Sequence, residues 1–179
     1  MGEFKCGLSG VSVWDFWHDP KKMAEAEIAA FNRYGYDRIV IGPNTRGITE
    51  ALGGRFIYPQ KGLPFSDKPL IQEYSQLDDI ESADAKKNER ILTFAREAEI
   101  MAKEAEGIVP IEVSIGGPFT IASNLRGVEL LLRDCRKYPE EIHGLLRLIT
   151  ESQKSCIDMA AEFGFGIAMA DPVANPALI

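Results

Sequence analysis

One local pattern recurs three times in this chain and limits what it can fold into. A helical stretch ends at a glycine, and a short apolar run follows at once. The first copy is Tyr34-Gly35-Tyr36-Asp37 before 38–41, the second is Glu106-Gly107 before 108–115, and the third is Phe163-Gly164-Phe165-Gly166 before 167–170. Glycine just past a helix takes the left-handed cap conformation that other residues resist. Apolar runs with little alternation suit strands of a parallel sheet, covered on both faces. Helix–glycine–strand units in series therefore predict an α/β fold with βα crossovers.

The helices between these strands can be read from spacing. Asp19-Pro20 predicts an N-cap and first turn, followed by Met23, Ala26, Ala30 and Tyr34 on one face. A second helix is predicted over 84–105. Ile91, Phe94, Ala98 and Met101 form its apolar stripe, with Lys86, Glu89, Arg96, Glu97 and Lys103 on a solvated face. A third begins near Pro139-Glu140-Glu141 and carries Ile142, Leu145, Ile149, Cys156 and Ala160 inward. Residues 53–76 break the rhythm with glycine, proline and aromatics, and predict an inserted hairpin or long loop.

The second strand runs into Gly116-Gly117-Pro118-Phe119-Thr120. Strand ends that lead into helices are where α/β proteins bind ligands. Two glycines there allow a positive φ or close approach by a ligand, and the same spacing also serves a packing turn with nothing bound. The net charge of −7 disfavours nucleic acid as a partner. No apolar run approaches the roughly 20 residues of a membrane helix, and the N-terminus has no signal-peptide core, so the expected location is cytoplasmic. Cys6, Cys135 and Cys156 form no spaced pair, and His18 and His143 have no ligand-spaced partner, so no metal site is expected. The third strand ends close to the end of the chain, which reads as a portion of a larger barrel.

Several segments together carry a resemblance. They are 117–122, Leu125-Arg126-Gly127, 138–146 and 164–172. In these the chain resembles the uroporphyrinogen decarboxylase superfamily. At 22–26, at 34–37 and at Asp171-Pro172 with Ala174 it is similar to the corrinoid branch, the methylcobamide:coenzyme M methyltransferases. The resemblance implies a TIM-type (β/α)8 barrel of which residues 1–179 supply about the first half. It places the site on Asn44, Thr45, Gly117, Pro118, Phe119 and Thr120 as substrate-binding residues, with Asp171 as the catalytic residue. It also implies a small-molecule substrate or a corrinoid protein as partner. The parent's cofactors would be zinc and a corrinoid. The family's zinc ligands, a His-x-Cys pair and a distant Cys, belong to its other half, so this chain is expected to bind no cofactor itself.

Against decarboxylase chemistry stand three departures. The arginine-rich N-terminal motif of the decarboxylases is missing, their pyrrole-binding aspartate falls on Asn44, and their tyrosine falls on Asn124. Three readings result. For the parent protein the leading one is corrinoid-linked methyl transfer to or from a small thiol or methylated compound. The second is a uroporphyrinogen decarboxylase. The third is a non-catalytic binding fragment, which is the reading for the 179 residues taken alone. Open barrel edges are expected to drive self-association.

Overall fold

The computed structural model describes residues 2–59, 62–105 and 107–175. Glu106 of the second glycine cap and residues 176–179 of the C-terminal tail lie outside them. Three strands form one parallel sheet in the order β1 (Ile39–Pro43), β4 (Ile111–Gly116), β5 (Gly166–Ala170). Ile39 lies beside Ile111 and Ile41 beside Val113, while Val113 lies beside Ile167 and Ile115 beside Met169. Adjacent parallel strands joined through helices make this a partial TIM-type barrel. The three glycines that introduce the strands all take positive φ: Gly35 at 59°, Gly107 at 69° and Gly164 at 70°. Gly35 caps the helix before β1 and Gly164 follows the cap of the helix before β5, while the helix before β4 ends at Glu104 with Ala105 as its cap and Gly107 lies in the turn that follows.

The helices are α1 (Gly2–Ser9), α2 (Val13–His18), α3 (Pro20–Tyr34), α4 (Asn44–Ala51), α5 (Glu89–Glu104), α6 (Pro118–Arg126), α7 (Val128–Lys137) and α8 (Pro139–Glu162). Asp19 caps α3 by accepting from the Lys21 and Lys22 N–H groups, with Pro20 in the first turn. The second predicted helix starts five residues late, at Glu89. Asn88 is its cap, accepting from Arg90 and Ile91, while Ala83 and Ala85 donate to Ser152 and Ser155 of α8. Those two bonds hold the preceding segment on α8 in a non-helical path. The second strand begins at Ile111, and Ile108 is 65% exposed.

Alternation along the strands is stronger than the apolar runs suggest. Ile39, Ile41, Val113 and Ile115 are buried in one core with Ile91, Ala98 and Met101 of α5 and Leu145 and Ile149 of α8. They face the helical layer. Val40, Glu112 and Ser114 alternate with them and are only half-buried. The residue period of two puts the largest apolar side chains under the helices and leaves the smaller or polar ones inside. Ile167 and Met169, in register with Val113 and Ile115, are 38% and 50% exposed. Among the described residues no strand pairs with the far side of β5.

Between α4 and α5 lies an antiparallel pair, β2 (Phe56–Ile57) and β3 (Phe65–Ser66), followed by a 3₁₀ helix over Tyr74–Asp79. A buried ion pair fastens this segment to the body. Arg126 at the end of α6 bonds Asp134 of α7 at 2.7 Å and donates to the Ile71 and Gln72 carbonyls. The Tyr74 hydroxyl donates to the same Asp134 oxygen at 2.8 Å, and its ring lies 4.6 Å from the guanidinium.

Candidate functional site at the strand ends

The C-terminal ends of β1, β4 and β5 meet through contacts too close for any larger residue at two positions. At β1 the chain passes from strand to helix with no linker. Gly42 takes a φ of 105°, and Asn44, the first residue of α4, has a φ of 43°. Asn44 is the one non-glycine residue with positive φ among those described. Asparagine tolerates this region because its short amide bonds nearby backbone. Here its side-chain oxygen accepts from the Arg46 N–H at 3.0 Å.

Gly116 and Gly117 both have ordinary extended backbone, so the expectation of a positive φ is not met. The glycines are needed for close approach. A Cβ on Gly116 would stand 2.1 Å from Cγ2 of Thr45, and one on Gly117 would stand 2.1 Å from Cβ of Asp171. Their approach is to protein side chains from the two flanking strand ends. The Gly116 carbonyl accepts from Nε2 of Gln153, a buried residue of α8. Pro118 opens α6, which runs to Arg126 as its sequence suggests.

Asp171 follows β5 and turns its carboxylate onto the N-terminus of α6. Oδ2 accepts from the Phe119 N–H at 3.0 Å. Oδ1 accepts from the Thr120 N–H at 2.8 Å and from the Thr120 hydroxyl at 2.6 Å. The first N–H groups of a helix have no partner within it, and the helix dipole favours negative charge there. Asp171 therefore caps α6 from a neighbouring strand. The Thr120 hydroxyl also accepts from the Val173 N–H at 3.2 Å, which ties the turn after β5 to the same point.

A cavity of about 470 Å³ opens beside these strand ends. Asn44, Thr45 and Thr120 line it, as do Ser114 and Asn124. Asn124 stands four residues after Thr120 on α6, so the two share a helix face. That spacing was the available signal for Asn124. Of the other residues proposed from sequence, Gly117 lies against Asp171, Pro118 begins α6, and Phe119 is buried in the main core. The far wall holds residues that the sequence analysis did not place in a site: Lys5 of α1, Trp17 of α2, Glu27 of α3 and Glu97 of α5. Glu97 is buried, not solvated as predicted: α3 packs on α5 beside it, and its carboxylate accepts from the Gly42 N–H of β1. Burial, and next the charge of Glu27, push its carboxyl up to about 8.

The zinc implied by the family resemblance does not fit these residues. Among the described residues no group of three or more His, Cys, Asp or Glu is placed to hold a metal ion. Burial raises all three thiols, Cys6 to about 11 and Cys156 to about 12, away from the thiolate that zinc needs.

Comparison with known proteins agrees with this architecture. A search of curated proteins finds no match. Among solved structures, a methyltransferase from Methanosarcina mazei is similar, with a TM-score of 0.79 at 21% identity over 98% of this chain. The chain spans about half of that structure, 52% of its length. The family model described as uroporphyrinogen decarboxylase (URO-D) matches residues 1–178. With that match over nearly its whole length, and with a parallel sheet whose strand ends converge on one cavity, the chain belongs to the uroporphyrinogen decarboxylase family.

Proposed function

We propose that this chain forms the N-terminal half of a methyltransferase of the URO-D family. In this reading the parent protein works in the cytoplasm and moves a methyl group between a corrinoid and a small thiol or methylated compound. The observation that carries the reading is the chemistry of the cavity wall at the strand ends. Asn44, Thr45, Ser114, Thr120 and Asn124 are neutral and polar. Arginine forks suit a substrate with many carboxylates. The arginine that lines this cavity, Arg46, is already bonded to Glu3 at 2.7 Å and stacked 4.2 Å over the Trp17 ring. Such a wall favours a compact, weakly charged reacting group over a porphyrinogen.

In this role Asp171 is a positioning residue. It holds the first turn of α6 so that Thr120 and Asn124 face the cavity together. Zinc and corrinoid chemistry, in this reading, come from outside the 179 residues. By itself the chain is an inactive binding fragment. The name of the matching family favours a second reading, porphyrinogen decarboxylation.

The test is a pair of assays on the chain alone and on the chain reconstituted with the polypeptide that completes its barrel. Methyl transfer from methylcobalamin to a thiol in the reconstituted sample, with none from the chain alone, supports the proposal. Loss of carboxyl groups from uroporphyrinogen, with no methyl transfer, replaces it with the decarboxylase reading.

A further inference from the structure

Away from the strand ends, the same cavity continues between α1, α3, β1 and α5. Its charged lining residues are Glu3, Lys5, Glu27, Arg46 and Glu97, three carboxylates against two cations. Arg46 is paired with Glu3, and Lys5 with Glu27. Glu97 forms no ion pair among the described residues, and its carboxylate accepts from the backbone N–H of Gly42. Glu27 and Glu97 are only 2% and 1% exposed, and Oε2 of each has no hydrogen-bond donor. The buried indole N–H of Trp17, on the same wall, also has no partner. Buried polar atoms are nearly always paired, so three unpaired atoms around one cavity call for an occupant. A volume of about 470 Å³ is far more than a single water needs and lies within the range of small-molecule sites.

We propose that this cavity binds a small primary ammonium compound, with its N–H groups directed at Glu27 Oε2 and Glu97 Oε2. The ammonium charge takes the place of the proton that burial keeps on Glu97 in the empty cavity. An ammonium group brings three donors and no acceptor, which matches two orphaned carboxylate oxygens. The neutral wall of Asn44, Thr45, Thr120 and Asn124 receives the rest of the molecule. This assignment concerns binding alone and holds whichever reaction the parent barrel performs.

The site has a pH signature. The charged groups around Glu97 are Lys5 on α1 and Glu27 on α3, with Glu3 and Arg46 on the same cavity. Burial keeps Glu97 protonated at neutral pH, and its ionised form is the one that binds a cation. Binding at pH 7 therefore releases a proton, and affinity rises as pH approaches 8.

Calorimetric titration with ethylammonium chloride, against potassium chloride at equal ionic strength, tests this. The expected result is saturable one-to-one binding of ethylammonium, with proton release seen from buffers of different ionisation heat. Glu97→Gln keeps the shape and removes the charge, and should weaken binding at least about tenfold, or about 1.4 kcal/mol. Equal affinity in the variant overturns the proposal, as does binding no stronger than that of potassium. Tetramethylammonium carries the charge without N–H groups, and equal binding of it also overturns the assignment. Should the variant not fold, the wild-type protein decides, since affinity that stays constant between pH 6.5 and 8.5 refutes a role for Glu97.

Discussion

Replacing Asp171 by alanine should destabilise the chain markedly, although Asp171 lies on a turn and is only half-buried. Its carboxylate accepts from two backbone N–H groups and one hydroxyl at the start of α6, at 2.6–3.0 Å. Removing an ordinary N-cap side chain costs about 1 kcal/mol, and about 2 at the upper end. Hydrogen bonds to a charged group are each stronger than neutral ones, but partial exposure lets water replace some of them. The expected loss is therefore about 2 kcal/mol. For a chain of this size each kcal/mol moves the melting temperature by roughly 2–4 °C, so Asp171→Ala should melt about 4–8 °C lower. Asp171→Asn keeps one acceptor oxygen and should lose about half as much. A double-mutant cycle with Thr120→Val isolates the shared contact, and the two losses should fall short of additivity by about 1 kcal/mol. Thermal melts followed by circular dichroism give all four values. An Asp171→Ala melt within 1 °C of the wild type, or strict additivity with Thr120→Val, refutes the capping role and returns Asp171 to the list of free site carboxylates.

Arg126→Ala should cost about 3 kcal/mol in urea unfolding, because it leaves the buried Asp134 with Tyr74 and the exposed Arg133 as its partners; a loss under 1 kcal/mol contradicts the pinning of the inserted segment. Stability should fall as pH rises from about 4.5 towards 8. The folded chain holds a proton on Glu97 that the unfolded chain has already lost, and burial raises the Glu27 carboxyl in the same direction. The contribution is full below the unfolded glutamate range and is gone above the folded value. Glu97→Gln should flatten this slope, and an unchanged slope in the variant shows that Glu97 is not its source. Self-association should appear in light scattering at micromolar concentration, since Ile167 and Met169 are exposed beside a strand edge that has no partner among the described residues. Ile167→Glu with Met169→Glu should shift the population to monomer, and a wild-type protein that is already monomeric removes this expectation.

Local signals carried a large part of the fold. The glycines at 35, 107 and 164 mark three helix ends and three strand starts because a left-handed cap is a property of a few adjacent residues. Asp19-Pro20 and Pro139 mark helix starts for the same reason. What local pattern missed was competition and layering. Asp84 looks like a helix start, yet Asn88 caps the helix, because Ser152 and Ser155 draw the preceding backbone onto α8. The short helices α1 and α2 have too few residues for a periodic stripe.

The candidate site divides in the same way. The sequence by itself determined a parallel α/β fold, because glycine turns and apolar runs are properties of neighbouring residues, and its family resemblance put Asn44, Thr45, Thr120 and Asp171 at the strand ends. Tertiary structure alone decided what those residues touch. Gly116 and Gly117 are glycine because Thr45 and Asp171 press against them from two other strands, a contact across 71 and 54 positions of chain that no spacing encodes. Glu97 sits in the sequence among charged neighbours that read as a solvated face. It is buried because it stands at the edge of the stripe of Phe94 and Met101, and only the packing of α3 and β1 over that edge settles whether it meets water or protein.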